Sequence, residues 1–301
     1  MKQANVFHRF YSYAAGLVGV IAVLAVSAVG PVSAQQQTSQ LKEPVYRISK
    51  ARVDENVNPN RHPLDPAIEL AQNGLKTLQA NVRDYTCILV KRERIGDTLG
   101  DYEYIFAKIR NERKVNGQVV VPFSVYLYFL KPEAIRGREV IYVKGRNDDK
   151  MIAHEGRGSV WSRFGSVWLN PTGPIAMKGN RYPITEIGLQ VLVTRLLEKG
   201  VRDRQRGECL VEFRKGAKIN NRLCTMLQVT HPNPRPYFDF HIAQIFIDDE
   251  LNVPVRYAAY TWPTKPGGKP VLQEEYTYLK LKLNVGLTDK DFDPKNPEYN
   301  F

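Results

Sequence analysis

The sequence predicts an α+β fold in which a large curved antiparallel sheet, of about ten or eleven strands, carries helices packed on one face. Three observations lead to this prediction. Residues after Asp84 alternate between apolar and polar side chains, short turn-forming segments join these runs, and two other stretches repeat apolar residues at spacings of three and four. Strands joined by short loops pair in antiparallel order, and amphipathic helices need an apolar surface to cover.

The amino terminus has the residue order of a secretory signal peptide. Lys2 and Arg9 come before an apolar or small-residue stretch, 14–29, which Val32-Ser33-Ala34 follows. We therefore expect cleavage near Ala34 and a periplasmic or extracellular location. Because the stretch is shorter than the roughly 20 apolar residues of a spanning helix, and because no Cys near the cut could accept a lipid, we expect no permanent membrane anchor.

The rest of the chain divides into a spacer and one folded part. Residues 35–63 are polar, lack apolar periodicity and are expected to form a flexible spacer. Residues 64–301 are expected to form a single β-rich domain. A first helix is predicted after Asp65-Pro66, which supplies a helix cap and a first-turn proline. Its apolar face consists of Ile68, Ala71, Leu75, Leu78 and Val82.

Predicted strands follow in two groups, separated by a second helix. Residues 184–197 carry a wide apolar stripe that Lys199-Gly200 closes, and such a helix would cover a face of the sheet. The predicted strands are 85–95, 101–110, 123–130, 139–144, 151–154, 159–169, 208–215, 222–230, 240–247, 253–262 and 271–283.

Charge and cysteine content limit the partners and the chemistry. The formal net charge is +12, but the basic residues are dispersed along strands, so we expect no nucleic-acid partner. Anionic lipid head groups, envelope polymers or simple solubility would account for the charge. Cys209 and Cys224 flank a predicted hairpin and are the natural disulfide pair in an oxidising compartment, with Cys87 free. The alternative is that all three are small buried apolar side chains.

Motifs of the common enzyme classes are missing from the sequence. We find no phosphate or dinucleotide loop, no helical zinc-protease motif and no nucleophile elbow, so we predict no catalytic residue, metal or cofactor and expect a protein that is not an enzyme. His231, Asp239 and His241 could form a metal or acid–base site, but the prolines among them favour an ordered loop. Asp248-Asp249-Glu250 is more typical of a hairpin turn than of a cation site.

Four carboxylates lie on predicted strands that also carry many basic residues. Cross-strand ion pairs are the default interpretation, although the carboxylate pairs of glycosidases are drawn from similar positions. The four residues are Glu93, Glu139, Glu274 and Glu275.

Large rings recur on successive predicted strands. A curved sheet lined with rings and covered by an apolar helix could hold a lipid or acyl chain, whereas the same side chains could fill a closed core, which is the commoner use. The candidate ligand-binding residues are Tyr126, Tyr128, Trp161, Trp168, Leu189, Leu192, Leu196, Trp262 and Tyr276.

Several strings follow one another in a fixed order after residue 65. They include Tyr85-Thr86-Cys87, Gly137-Arg138-Glu139-Val140-Ile141-Tyr142, Pro183-Ile184-Thr185-Glu186-Ile187-Gly188, Ile247-Asp248-Asp249 and Asn296-Pro297-Glu298-Tyr299-Asn300-Phe301. In this order the strings resemble the bacterial family known as domain of unknown function 1571. The resemblance implies an envelope protein without an assigned activity and offers no catalytic residues. It also implies an architecture similar to the lipoprotein-carrier (LolA-like) fold, an unclosed antiparallel barrel with helices across its mouth.

Two functional hypotheses follow. The first is a non-enzymatic exported protein that binds a hydrophobic ligand, a lipid or the acyl chains of a lipoprotein, between the sheet and its covering helices. The alternative is a module with a solid core that binds another envelope protein. An open space between helix and sheet separates the two, since both use the same residues.

Overall fold

The computed structural model describes residues 41, 44, 46–48, 52–53, 60–156 and 165–301. These residues belong to one compact unit, Ser33–Phe301. The predicted signal peptide, 1–34, lies outside the described residues, so its cleavage stays a prediction, as does the division of the chain at residues 34 and 63.

Three α-helices and sixteen strands make up the described part of the chain. The helices are α1 (Asp65–Asn81), α2 (Pro174–Met177) and α3 (Leu189–Arg204). The strands are β1 (Tyr46–Arg47), β2 (Arg52–Val53), β3 (Asp84–Ile95), β4 (Thr98–Leu99), β5 (Glu103–Arg110), β6 (Arg113–Val115), β7 (Gln118–Val121), β8 (Ser124–Lys131), β9 (Glu139–Val143), β10 (Met151–His154), β11 (Val167–Leu169), β12 (Leu210–Ile219), β13 (Arg222–Thr230), β14 (Ile242–Asp248), β15 (Pro254–Thr261) and β16 (Val271–Leu283).

Fourteen of these strands form one antiparallel sheet, ordered β1-β12-β13-β14-β15-β16-β3-β5-β8-β9-β10-β11 with β2 beside β12 and β4 beside β3. Two meanders build it, one before and one after α3, and they join where the last strand, β16, pairs with β3. Within the described residues β1 and β11 end the order without pairing to each other, so the sheet is not closed. The predicted α+β class is confirmed.

Each of the eleven predicted strands has a counterpart in the sheet. The segment 159–169 is seen only as β11, because residues 157–164 lie outside the described part. The count of strands exceeds the prediction because β1, β2 and β4 have two residues each, too few for a visible alternation. A separate hairpin, β6–β7, turns at Asn116-Gly117, where both residues have positive φ (51° and 79°), as a two-residue hairpin turn requires.

The ends of both long helices differ from the predicted ones. Asp65 is the first residue of α1 and not its cap; its carboxylate pairs with Arg204 of α3. The second helix begins only at Leu189, because Ile184–Glu186 form a separate 3₁₀ turn and Gly188 adopts a φ of 115°. It also continues past Gly200, where the two helices pack so closely that an added Cβ would lie 3.4 Å from Ile68.

Part of the predicted spacer belongs to the sheet. β1 and β2 both pair with β12, so the prediction of a structureless segment is corrected at these residues. The ring of Tyr46 packs edge-on against Phe246 and lies 4.4 Å below the guanidinium of Arg256. An aromatic anchor and an open strand edge suffice to place a segment that has no periodicity of its own.

The three cysteines are free and buried, so the predicted Cys209–Cys224 disulfide is wrong. Cys224 lies opposite Ala217 in the β12–β13 hairpin. Cys209 precedes β12 by one residue, eight residues before Ala217, which at about 3.3 Å per residue separates the two by roughly 26 Å. A disulfide needs Cα atoms within about 7 Å. The alternative, three buried apolar side chains, is confirmed.

The sheet buries both faces. On one face, α1 and α3 cover side chains such as Leu89, Ala107 and Leu127. On the other, the carboxy-terminal segment covers residues such as Ile88, Phe106 and Tyr126, with the ring of Tyr299 stacked on Tyr126 at 4.1 Å. Since successive side chains of a strand point to opposite faces, these two sets alternate along each strand.

Candidate ligand-binding site

An apolar groove lies between the two long helices and the sheet. Its walls come from α1 and α3, and its floor comes from β13, β14 and the first residue of β15. It is half open, with a cavity volume of about 110 Å³, several times the ~10–15 Å³ that one water molecule needs. The lining residues are Leu64, Ala67, Ile68, Leu70, Ala71, Gly74, Val193, Leu196, Leu197, Lys199, Gly200, Asp203, Leu227, Val229, Phe240, Ala243, Ile245, Ile247, Asn252 and Pro254.

Strand register explains why the floor of the groove is apolar. Leu227 lies opposite Ile245, and Val229 lies opposite Ala243, so these four side chains share the face toward the helices. Their alternation along β13 and β14 directs the intervening polar residues away from the groove.

The open space follows from small residues on the facing helices. Ala67, Ala71 and Gly74 recur on α1 at spacings of four and three, which places them on one side of the helix. Gly200 of α3 and Ala243 of the floor also line the groove. Interiors are normally filled to crystal-like density, so five small residues around one space leave room that large side chains would occupy.

A polar cavity adjoins one end of the groove, and both are bounded by Lys199 and Phe240. Lys199 Nζ lies 2.7 Å from Oδ2 of Asp239, and Arg202 Nη2 donates to the same oxygen at 3.1 Å. Burial by itself would raise the pKa of Asp239, but the two cations outweigh it and lower that pKa below its usual value. The carboxylate is therefore a lasting negative charge at the end of the groove.

The opposite wall of the polar cavity carries a second ion pair. Arg181 Nε lies 3.0 Å from Oε2 of Glu274, and the Tyr182 hydroxyl donates to Oε1 of that carboxylate at 3.2 Å. Glu274 lies directly opposite Glu93 in the register of β16 and β3. The hydroxyl of Tyr276 approaches both carboxylates, at 2.5 Å from Glu93 and 3.4 Å from Glu274. Two buried acids on one face are thus held by neighbouring donors.

Three of the four carboxylates form ion pairs, but only the pair of Glu275 joins two neighbouring strands as predicted. Glu93 pairs with Lys91, Glu274 with Arg181 and Glu275 with Arg256. Glu139 instead accepts hydrogen bonds from Tyr126 and from the backbone and side chain of Asn300. It ties the carboxy terminus to the sheet.

The histidine-containing segment forms an ordered loop. His231 Nδ1 lies 3.1 Å from the carbonyl of Phe240, and His241 Nδ1 lies 2.8 Å from the carbonyl of His231. Asp239 faces Lys199 instead of either imidazole. No group of three potential metal ligands occurs among the described residues. Asp248 pairs with Arg222 and accepts from the backbone N–H of Glu250 and Leu251, as a hairpin turn does.

Of the nine candidate ligand-binding residues, Leu196 alone is among those that line the groove. Leu189 and Leu192 pack in the core beside it, and Tyr276 holds the two carboxylates. Trp161 lies outside the described residues.

The other four candidates lie elsewhere. Tyr126 and Tyr128 point to the opposite face of the sheet, toward the carboxy-terminal segment. Trp168 is 46% exposed at the edge strand β11. Trp262 follows β15 and donates to the carbonyl of His231. These four residues were chosen as candidates because their rings are large, whereas small and aliphatic residues line the groove. The spacing of Ala67, Ala71 and Gly74 along α1 was the sequence signal that could have identified the groove.

Among the helices of the described residues, none combines the length and the apolar composition that a membrane-spanning helix needs.

Comparison with known proteins identifies a family but no relative of established activity. The model of a family described as a protein of unknown function (DUF1571) matches residues 82–301. No curated protein matches the sequence significantly.

Solved structures resemble the chain at low identity. A DUF1329 family protein from Desulfovibrio piger has 12% identity and a TM-score of 0.37 over 77% of this chain and 98% of its own. A LolA superfamily protein from Nitrosomonas europaea has 12% identity and a TM-score of 0.29 over 74% of this chain and 97% of its own. The Pseudomonas aeruginosa MucA/MucB complex matches with 10% identity and a TM-score of 0.43 over 76% of this chain and 60% of the matched chain.

Proposed function

This chain belongs to the DUF1571 family of proteins of unknown function, and from that premise we propose that it is an exported, non-enzymatic envelope protein that binds a hydrophobic ligand. The ligand is a lipid or the acyl chains of a lipoprotein, and it lies in the apolar groove between the sheet and helices α1 and α3. The export step rests on the charged, apolar and small-residue order of residues 1–34.

The open groove is the observation that carries the proposal. Its lining is almost wholly aliphatic, and the charged residues Lys199 and Asp203 both come from the last turns of α3. An acyl chain that enters loses contact with water, at about 0.8 kcal/mol for each buried CH₂. A solid core, which the partner-binding alternative requires, would leave no such space beneath the helices.

The first experiment asks whether the protein carries a ligand. Protein purified from its native envelope is extracted with organic solvent and analysed by mass spectrometry, and we expect lipid at a stoichiometric level. Extraction at background level, together with specific capture of an envelope protein, would favour the partner-binding alternative.

The second experiment fills the groove. Ala71→Phe places a ring in the space that Ala71 leaves between α1 and the floor, while Ala80→Phe adds the same ring at an exposed position of the same helix. We expect Ala71→Phe to weaken binding of an apolar fluorescent probe by about tenfold or more, which corresponds to losing contacts of about two CH₂ groups. Ala80→Phe should bind as the unaltered protein does. Equal binding by all three proteins would exclude the groove as the site.

A further inference from the structure

The polar cavity at the end of the apolar groove could receive the polar head of a ligand whose apolar chain lies in the groove. Its volume is about 340 Å³, and its lining is mostly polar or aromatic. The two spaces meet at Lys199 and Phe240, which belong to both linings. A ligand with an apolar chain and a polar head would therefore find a matching environment for each of its parts.

The charges of the polar cavity balance. Lys199 and Arg181 supply two cations, and Asp239 and Glu274 supply two anions, in the pairs Lys199–Asp239 and Arg181–Glu274. The nearby Arg202 is offset by Asp203, which lies 3.0 Å away and is almost fully buried. A head group with a net negative charge would bring an unpaired charge into a cavity whose two cations are already paired with Asp239 and Glu274. A head that carries one charge of each sign matches both pairs.

The cavity is also held in shape before any ligand enters. The backbone N–H of Arg181 donates to Glu93 at 3.1 Å, and its guanidinium donates to the carbonyl of Arg94 at 3.0 Å. These bonds fasten the loop after α2 to β3, while Arg202 holds Asp239 from the α3 side. Charged groups fixed in advance lose little freedom when they receive a ligand.

We propose, on the basis of the function proposed above, that the ligand is a zwitterionic phospholipid with a primary ammonium group, of the phosphatidylethanolamine type. Its phosphate lies between Lys199 and Arg181, its ammonium donates to Asp239 and Glu274, and its acyl chains run into the apolar groove. A primary ammonium has three donors for these carboxylates, whereas a quaternary ammonium has none.

The test compares lipids that share the same short acyl chains and differ in the head. Each displaces an apolar fluorescent probe from the purified protein, after endogenous lipid has been removed. We expect phosphatidylethanolamine to displace the probe at roughly tenfold lower concentration than phosphatidylglycerol, phosphatidylcholine or diacylglycerol, since charge-assisted hydrogen bonds are involved. Equal displacement by all four, or tightest binding of the anionic lipid, overturns the head-group proposal but keeps the hydrophobic ligand. Displacement by none of them contradicts the proposed function itself.

Two variants test which residues distinguish between the lipid head groups. Asp239→Asn removes the carboxylate that faces the ammonium, and Lys199→Met removes the cation that faces the phosphate. Both are expected to lose the preference for phosphatidylethanolamine over diacylglycerol. Lys76→Met, on the exposed side of α1, serves as the matched control and should keep the preference. Preference retained in both cavity variants would show that the head lies elsewhere.

Discussion

Breaking one buried ion pair provides a sharp test of how the last two strands, β15 and β16, are held together. Arg256 on β15 and Glu275 on β16 lie 2.6 Å apart on the sheet face away from the helices, with side chains only 2% and 6% exposed. Arg256 also donates to Thr277 and lies over the ring of Tyr46. Glu275→Met would leave the guanidinium buried without a carboxylate, and removing one partner of a buried pair costs about 3–5 kcal/mol.

For a domain of this size, each kcal/mol shifts the unfolding temperature by about 2–4 °C, so Glu275→Met should lower it by roughly 6–20 °C. Calorimetry or denaturant unfolding measures the change. The double variant Arg256→Met/Glu275→Met should recover most of the loss, because well-packed apolar replacements of a buried pair are often neutral. The exposed pair Arg136–Glu133, 51% and 86% exposed, is the control, and its disruption should cost about 0–1 kcal/mol. A single Glu275→Met variant as stable as that control would refute the buried pairing.

Three further predictions concern the tail, a histidine and the cysteines. Asn300→Ala removes a 2.6 Å donor from the fully buried Glu139 and should cost about 1–3 kcal/mol in urea unfolding, whereas Lys295→Ala, at an exposed position of the same segment, should change little. Burial lowers the pKa of His231 below its ordinary value near 6.5, so the unfolded chain binds the proton more readily. The contribution of neutral His231 to the free energy of unfolding is therefore full above about pH 6.5 and is lost as the pH falls below it. His231→Gln should flatten this part of a plot of stability against pH. An unchanged slope would contradict the assignment to His231. Burial raises the pKa of Cys209 and of Cys224 to about 11 and raises the pKa of Cys87 as well. A thiol reagent at pH 8 should therefore label none of the three cysteines in the folded protein and all of them in denaturant. Rapid labelling of the native protein would show that the cysteines are not buried.

The sheet could be predicted from the sequence because strand periodicity is a local property. β13 and β16 have the bounds that the alternation predicts, and β10 does too. Helix ends were predicted less accurately, because Gly200 is a terminator by local preference but lies inside α3, where an added Cβ would lie 3.4 Å from Ile68 of α1. The same context overrides the hairpin argument for Cys209 and Cys224, which concerned sequence proximity and not register.

The apolar groove was predicted in kind, but its lining residues were mostly predicted wrongly. The sequence indicated a space between sheet and helices, and the structure contains one. The large rings chosen as its lining mostly lie elsewhere. Tyr126 and Tyr128 lie on the opposite face, against which the carboxy-terminal segment packs. Alternation shows which strand residues share a face of the sheet. Which of the two faces the helices cover is decided only when distant segments pack against each other.

By itself the sequence determined the fold class, the strand order within each meander and the family, because these depend on local periodicity and on ordered motifs. The tertiary structure alone decided that β16 closes against β3, that Tyr46 returns to the sheet, and that Lys199, Asp239, Arg181 and Glu274 surround one cavity. Those four residues come from four separate parts of the chain: the loop after α2, α3, the loop before β14, and β16. No local pattern brings them together, because their proximity results from long-range strand pairing and from the packing of α3 against the sheet.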